Sequence, residues 1–293
     1  MKKILYFLIA ISLFSCDKDD TTSNGVPSYI QIDEITLDSN YTSNITDAWG
    51  DLEDYTTNIT DDWVYINGVN KGVYELPAHF PVLNDGAVEV RIYAGIKDNG
   101  IASQRVTYPF YYSYTSPIKL TIDSTISISP SVALKENIDG IIDDFDPSYT
   151  FNYDTCFQKI SGGPDDYGDY GSLVLAADDN IYVTEINYKD HPRSYDNVPQ
   201  QGSATYFELD YKSDSEFLVG MYINFTNTPT LQKDLLWINP KDNWNKIYVN
   251  LTQTVSEAIG AESFSVFIRM QRDNFSEEKT LDFDNVRIVH YKK

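Results

Sequence analysis

The stretch DDWVYINGVNKGVYELPAHFPVLNDGAVEVRIYAGI, residues 61–96, contains the clearest strand and turn signals in the chain. The pair Asn67-Gly68 directly follows an apolar, aromatic run at 63–66. Both central residues of a type I′ hairpin turn need positive φ angles, which Asn and Gly adopt most easily. A second strand returns at 72–75, and alternating apolar residues resume at 88–92 after another turn that contains glycine. These patterns predict antiparallel β-sheet in this part of the chain.

Seven residues in this stretch fit the pattern V-x-V-(D/N)-G-x-x-x-G with a later glycine: Val64, Ile66, Asn67, Gly68, Gly72, Pro77 and Gly86. The pattern resembles the PEGA-type module, a small immunoglobulin-like β-sandwich. It departs from that family in a longer stretch between Pro77 and Gly86, and in Val88, where a His or Tyr is commoner. The resemblance implies an envelope-associated module without an active site, which we expect to span residues 28–133.

The second half of the chain, residues 134–293, contains further strand-like runs at spacings typical of an antiparallel sandwich. These runs are residues 171–175, 204–211, 217–223, 244–251, 264–270 and 281–289. Three motifs occur in order: D-D-F-D at 143–146, W-x-K-x-x-V-x-L at 244–251 and L-D-x-D-N-V-x-I at 281–288. Their order resembles carbohydrate-binding-module and galactose-binding-like jelly rolls. We therefore predict an all-β chain of two β-sandwich domains, an immunoglobulin-like one followed by a jelly roll.

The first residues have the form of a secretory signal. Lys2 and Lys3 precede an apolar run at 4–14 that is too short to span a bilayer, and Ser15 stands directly before Cys16. This arrangement resembles a bacterial lipobox, in which the Cys becomes the lipidated first residue of the mature protein. Several acyl chains, palmitate among them, would then form a stable membrane anchor. We expect residues 1–15 to be the signal peptide and Cys16 to be the lipidation site.

The residues after Cys16 form an acidic cluster with one lysine, D-K-D-D at 17–20. The cluster resembles the lipoprotein export signal of Bacteroidota, which directs lipoproteins to the outer face of the outer membrane. A solvated acidic linker is the alternative interpretation. Residues 16–27 would then form the lipidated, acidic and polar tether. We accordingly predict a lipid-anchored outer-membrane protein exposed on the cell surface.

The composition restricts the partners. The formal net charge is −22, from 44 acidic and 22 basic residues. Nucleic acids and anionic lipid surfaces are polyanions, so this charge disfavours both as partners. Apart from Cys16 the chain has a single cysteine, Cys156, so the mature protein can form no intramolecular disulfide. We expect Cys156 to be a small buried apolar residue and not a reactive thiol.

No motif for a catalytic centre stands out. HExxH, GxSxG and P-loop patterns are absent, and the histidines lack metal-ligand spacing: His79, His191 and His290. Glycoside hydrolysis needs a pair of carboxylates, and Glu185, Asp190 and Glu208 could supply one. With so many acidic residues such pairs arise anywhere, and ordinary solvated side chains explain them better. We predict a non-enzymatic protein, with glycoside hydrolase activity left as an alternative.

A structural calcium ion is more plausible than a catalytic centre, and no other cofactor is expected. Ca²⁺ takes six to eight hard oxygen ligands, commonly from Asp side chains. The resemblance to jelly rolls implies such an ion at acidic residues of the first and last strands, and Asp144 and Asp282 match those positions in order. Solvated or hydrogen-bonded acids are the alternative.

Aromatic residues in predicted loops are the candidates for ligand binding. Sugar rings present C–H faces that stack on Trp and Tyr, and long loops at the end of a rigid sandwich commonly carry binding function. The candidates, from a Gly-rich loop, a long loop and the segment KDLLWINP, are Tyr167, Tyr170, Tyr188, Arg193, Tyr195 and Trp237. Loop packing without a ligand is the alternative.

These observations favour one functional hypothesis and leave a second open. The first is a surface lipoprotein whose jelly roll binds glycan or another extracellular ligand. The second is an accessory subunit of a cell-envelope complex that acts through protein contacts. The aromatic run YPFYYSY at 108–114 motivates the second, because an exposed strip of this kind could stack on a partner; a strand with its aromatics buried on one face is the alternative.

Overall fold

The computed structural model describes most of the chain: residues 25–38, 56–145, 149, 151–166, 168–188 and 198–293. The regular structure in these ranges is almost entirely β-strand, so the predicted all-β sandwich class is confirmed. The signal peptide, Cys16 and the acidic cluster lie outside the described residues. Within them, no helix has the length and apolar character needed to cross a membrane.

The described residues of the N-terminal half form ten strands. They are β1 (Ser28–Ile32), β2 (Thr36–Leu37), β3 (Asp61–Ile66), β4 (Val69–Glu75), β5 (Ala78–Val82), β6 (Gly86–Lys97), β7 (Arg105–Thr107), β8 (Tyr114–Leu120), β9 (Thr125–Ile128) and β10 (Ser131–Val132). One sheet has the order β4-β3-β6-β7, with β8 also paired to β6, and a second has the order β5-β1-β9. The predicted hairpin is confirmed, because β3 and β4 are antiparallel and Asn67 and Gly68 have φ angles of 49° and 78°.

The alternation of β6 places its apolar side chains in the core of this sandwich. Val88, Val90 and Ile92 are buried, whereas the intervening Glu89 and Arg91 are exposed. Successive side chains of a strand point to opposite faces of the sheet, so one face of β6 packs inward and the other meets solvent.

In the C-terminal half, the part of the chain that the structure describes contains ten further strands and one short α-helix. They are β11 (Ile138–Asp143), β12 (Phe157–Ser161), β13 (Asp169–Leu175), β14 (Val183–Asn187), β15 (Thr205–Ser213), β16 (Phe217–Phe225), β17 (Thr228–Ile238), β18 (Lys241–Asn250), α1 (Thr252–Glu257), β19 (Ser263–Gln271) and β20 (Lys279–Tyr291). The larger sheet has the order β12-β13-β20-β15-β18, with β11 paired to β20, and the smaller one β14-β19-β16-β17. The domain bounds at 28–133 and 134–293 stay a prediction.

The core of the C-terminal half lies between these two sheets. Phe207 and Leu209 of β15 face it together with Phe217 and Val219 of β16. Cys156 is buried at its edge, as predicted, and burial raises the pKa of its thiol. The neutral thiol is therefore favoured over the reactive thiolate.

An aromatic seam joins the two halves. The outer face of the larger C-terminal sheet contributes Tyr206, Tyr248 and Val289 to the same apolar cluster as the N-terminal core. The rings of Tyr108 and Phe110 fill the space above them: the Tyr108 ring lies 5.2 Å from that of Tyr248, and the Phe110 ring 6.1 Å from that of Tyr206. The two sandwiches therefore share one continuous apolar contact.

The run YPFYYSY is thus mainly an internal element. Tyr108, Phe110 and Tyr111 are buried, and only Tyr112 is largely exposed, at 45%. Apart from Tyr114, which begins β8, the run lies in turns and extended segments between β7 and β8. The interpretation as an exposed strip is wrong and the alternative of buried aromatics is supported, because these rings cover the apolar face of the other sandwich. The observation that motivated the envelope-subunit hypothesis is removed.

Candidate functional site

A cleft of about 470 Å³ opens beside the aromatic seam, between the two halves of the chain. Its N-terminal wall is formed by Asn58 and Thr60 before β3 and by Lys97 and residues 99–102 at the turn between β6 and β7. Its C-terminal wall is formed by the end of β17 and by β18. The volume is within the usual range of about 300–1,000 Å³ for small-molecule sites. The cleft is therefore large enough for a ligand of several rings.

Trp237 lies at this cleft and is 43% exposed. It stands in β17, where Ile238 turns into the core and the alternating position of Trp237 turns outward. Cross-strand pairing with Leu218 fixes the backbone at this point. Trp237 is therefore an aromatic side chain held open to solvent by a rigid strand.

The opposite wall is a tight turn with a defined shape. Asn99 and Gly100 have φ angles of 55° and 69°, and a Cβ atom on Gly100 would come within 3.0 Å of the Ile247 Cδ1 atom. Only glycine adopts this conformation at so close an approach without strain.

Hydrogen bonds fasten this turn to the other sandwich. The Asn99 backbone N–H donates to the Tyr248 carbonyl at 2.9 Å, and the Asn250 backbone N–H donates to Asn99 Oδ1 at 2.8 Å. The Tyr206 hydroxyl donates to Asp98 Oδ1 at 3.1 Å. The two walls are therefore held at a fixed separation before any ligand arrives.

The inner part of the cleft is lined by polar groups. Asn58 donates from its backbone N–H to the Tyr248 hydroxyl at 3.0 Å and from Nδ2 to the Lys246 carbonyl at 2.9 Å. The Tyr211 hydroxyl donates to the Asn239 carbonyl at 3.2 Å. The remaining amide side chains at the cleft are those of Asn99, Asn239 and Asn245.

A buried network of charges lies directly behind this inner wall. The Lys246 Nζ atom is 3.1 Å from Glu208 Oε2, and the Arg287 Nη1 atom is 3.9 Å from the same oxygen. The Tyr108 hydroxyl also donates a hydrogen bond to Glu208. Burial lowers the pKa of Lys246, opposed by its carboxylate neighbours. The network therefore links the seam to the cleft through a desolvated ion pair.

Asp284 is the acidic group of this region with the strongest resolved perturbation. Burial raises its pKa to about 8, and the nearby carboxylates of Asp210 and Asp144 act in the same direction. At pH 7 the Asp284 carboxyl is therefore mostly protonated. Its neutrality limits the number of negative charges that the positive groups Lys246 and Arg287 must balance.

The predicted ligand-binding residues do not lie together. Trp237 lies at the cleft, on a strand and not on the predicted loop. Tyr170 lies on β13, half-buried, and its ring packs edge-on against Trp244 at 5.4 Å. Tyr188 is only 2% exposed and its ring contacts Phe151 at 5.7 Å, so its prediction as a ligand-binding residue is wrong. The others lie outside the described residues: Tyr167, Arg193 and Tyr195.

The described residues do not support the predicted calcium site at Asp144 and Asp282. Ser172 Oγ donates to Asp282 Oδ1 at 2.7 Å, and the Lys212 ammonium lies 3.1 Å from Oδ2. Both oxygens of Asp282 therefore already have partners. Over the described ranges, no three His, Cys, Asp or Glu side chains gather where they could hold a metal ion.

The carboxylates considered for hydrolysis lie elsewhere. Glu185 accepts a hydrogen bond from Arg269 Nη2 at 2.5 Å and another from the Tyr222 hydroxyl at 2.8 Å. Glu208 is paired with Lys246. Neither carboxylate is among the residues that line the cleft, and Asp190 lies outside the described residues.

The sequence analysis missed the polar residues of the cleft. Its N-terminal wall follows from a signal that was available, the segment Asp98-Asn99-Gly100, which is a second strong hairpin turn. The contributions of Asn58, Lys97 and Lys241 had no comparable local signal. They belong to one site only because the two sandwiches are packed together.

No family model and no curated protein matches this chain. Solved structures give weak likenesses. The CBM22-1 and GH10 modules of a Clostridium thermocellum endo-1,4-β-D-xylanase complexed with xylohexaose match over 51% of this chain and 27% of that chain, with 10% identity and a TM-score of 0.36. A family 30 carbohydrate-binding module of a cellulosomal cellulase from the same organism matches over 51% and 90%, with 10% identity and a TM-score of 0.34.

A third structure, a carbohydrate-binding module of the β-sandwich superfamily, matches over 80% of this chain and 86% of that chain. Its identity is 12% and its TM-score is 0.32. Likenesses at this level assign neither a family nor a ligand to this chain.

Proposed function

We propose that this protein is a non-catalytic carbohydrate-binding protein and that its ligand lies in the cleft between the two sandwiches. The observation that carries the proposal is the exposed Trp237 at a cleft that also presents amide side chains. The C–H face of a sugar ring stacks on an indole ring, which gives affinity without a charge. Trp237 would supply this platform.

The amide side chains suit the hydroxyl groups of a sugar. An amide has one acceptor oxygen and two donor hydrogens, so it pairs with a hydroxyl in either sense. Asn58 uses its Nδ2 group and Asn99 its Oδ1 atom within the protein, which leaves the Oδ1 atom of Asn58 and the Nδ2 group of Asn99 for a ligand. Asn239 and Asn245 line the same cleft.

The positions of the carboxylates support a binding role over hydrolysis. Hydrolysis of a glycosidic bond needs a carboxylic acid and a second carboxylate on either side of the bond. The described residues that line the cleft include no Asp or Glu. The described lining of the cleft therefore offers a bound carbohydrate neither the acid nor the second carboxylate.

The test is affinity electrophoresis and calorimetry of the full chain on a panel of polysaccharides, comparing the wild type with Trp237→Ala. We expect Trp237→Ala to weaken binding about five- to thirtyfold, because stacking on an aromatic platform contributes on the order of 1–2 kcal/mol. Trp237→Phe should retain part of the affinity. Phe275→Ala, which removes another exposed aromatic ring outside the cleft, is the matched control.

Equal affinity of Trp237→Ala and the wild type for every ligand that binds would place the site elsewhere and refute the proposal. A folded chain that binds no member of a broad polysaccharide panel would refute carbohydrate binding itself.

We further propose that Cys16 anchors the protein in the outer membrane with the two sandwiches outside the cell. The support is the sequence at 1–20. Protease added to intact cells should digest the wild type, and Cys16→Ala should lose its membrane association. Protection until the outer membrane is breached would contradict surface exposure, and unchanged membrane association of Cys16→Ala would contradict the lipid anchor.

A further inference from the structure

We infer that the carbohydrate bound in the cleft is acidic, a polysaccharide whose sugars carry carboxylate or sulfate groups. The inference rests on the proposed function, because it names the class of carbohydrate for the same cleft. The observation that carries it is the charge of the lining residues.

The lining differs in charge from the rest of the protein. The chain as a whole has 44 acidic and 22 basic residues. The described residues that line the cleft include three lysines, Lys97, Lys241 and Lys246, and no Asp or Glu. A binding site for a neutral sugar has no need of this local excess of positive charge on so acidic a protein.

Two of these lysines are available to a ligand. Lys241 is exposed, and no carboxylate of the described chain comes within ion-pair distance of its ammonium group. Lys97 is paired with Glu75 at 3.0 Å, but Glu75 is 54% exposed in its side chain and also contacts Arg105. An exposed pair of this kind contributes little stability, so Lys97 can exchange its partner for an anionic ligand.

The third lysine sets the inner limit of the positive region. Lys246 is buried, and Glu208 already balances its charge. An anionic group at the inner end would therefore gain little from Lys246. The acidic groups of the ligand should lie toward Lys97 and Lys241, with a sugar ring on Trp237 between the two walls of the cleft.

The large negative charge of the whole protein does not prevent this. At physiological ionic strength the Debye length is about 8 Å, so acidic residues farther away than this are largely screened. The groups within this distance decide whether an anion is attracted or repelled. The carboxylates that lie this close already have partners: Glu75 is paired with Lys97, Glu208 with Lys246, and Asp98 accepts hydrogen bonds from Tyr206 and Asn250. None of the three is among the described residues that line the cleft.

The test compares polysaccharides that differ in charge but not in backbone. Polygalacturonate and its fully methyl-esterified form share one sugar chain, and dextran sulfate and dextran share another. We expect the wild-type full chain to bind one charged polymer at least about tenfold more tightly than its neutral counterpart, with affinity that falls as salt is added. Preference for polygalacturonate would identify carboxylate recognition, and preference for dextran sulfate would identify sulfate recognition.

Variants assign the effect to the cleft. Lys241→Gln and Lys97→Gln should each weaken binding of the charged polymer about three- to tenfold and so reduce its preference over the neutral polymer. Lys119→Gln removes the same charge from an exposed position on β8, outside the cleft, and should change neither.

The outcomes separate this inference from the proposed function. Equal binding of charged and neutral polymers, both lost in Trp237→Ala, would overturn the charge inference and leave carbohydrate binding in the cleft intact. Binding of neutral polymers alone would likewise overturn only the charge inference. So would a Lys119→Gln protein whose binding is weakened as much as that of Lys241→Gln. Binding that does not depend on Trp237 would overturn both.

Discussion

Replacing Glu208 with Gln is expected to lower the free energy of unfolding by about 3–5 kcal/mol, the usual cost of removing one partner of a buried ion pair. The Glu208 and Lys246 side chains are 0% and 2% exposed, and their charged atoms lie 3.1 Å apart. Glutamine keeps the shape and can still accept the hydrogen bond from Tyr108. The Lys246 and Arg287 charges would nevertheless lose the carboxylate that balances them in a desolvated interface.

The measurement is chemical denaturation of the two proteins at pH 7. Glu89→Gln is the matched control, because it breaks an exposed Glu89–Arg91 pair with a separation of 3.3 Å. An exposed pair of that kind contributes about 0–1 kcal/mol, so the control should remain close to the wild type. Equal, small losses in both variants would show that water or Asp210 compensates the buried charges.

Replacing Phe110 with Ala is expected to cost about 3–5 kcal/mol of unfolding free energy, the typical range for a fully buried Phe. Phe110 is completely buried, and its ring lies 5.3 Å from that of Tyr108 and 5.1 Å from that of Tyr291. Truncation would remove these contacts and leave a cavity in the aromatic seam. Because both sandwiches line the seam, the loss should affect the unfolding of both.

Tyr112→Ala is the matched control for this prediction. Tyr112 lies two residues away in the same run but is 45% exposed, and exposed substitutions usually change stability by about 0.5 kcal/mol or less. Denaturant unfolding followed by near-ultraviolet circular dichroism would give the unfolding free energies of both variants. A Phe110→Ala protein as stable as the Tyr112→Ala protein would mean that the seam contributes little to stability.

Local patterns predicted much of the fold. The Asn67-Gly68 hairpin and the alternation along β6 were both readable, because a hairpin turn and the two-residue period of a strand depend on neighbours in sequence. The run at 204–211 corresponds to β15 of the larger C-terminal sheet, and the runs at 217–223 and 264–270 correspond to the paired strands β16 and β19 of the smaller one. The packing of one sandwich on the other depends on distant residues and could not be read in this way.

The error at Tyr188 has a local explanation. In β14 the even-numbered residues Thr184 and Ile186 are buried, and Tyr188 continues this alternation just beyond the end of the strand. The polar residues that follow it in sequence suggested an exposed loop. Extending the two-residue period past the end of the predicted strand would have placed Tyr188 in the core.

Only one predicted ligand-binding residue lies at the cleft. Trp237 was selected as a tryptophan in a polar, proline-containing context, and that choice depended on residue type. Its partners Asn58 and Asn99 are more than a hundred residues away in sequence. They meet Trp237 because the turn between β6 and β7 is hydrogen-bonded to β18.

The aromatic seam also bears on how such a chain can evolve. Domains that recombine freely between proteins meet their neighbours across boundaries that few contacts cross. Here Tyr206, Tyr248 and Val289 would be uncovered if the C-terminal sandwich were inherited without its companion. An apolar patch of this kind favours aggregation, so a transfer of one sandwich alone would be selected against. We therefore expect the two sandwiches to be inherited together and not separately.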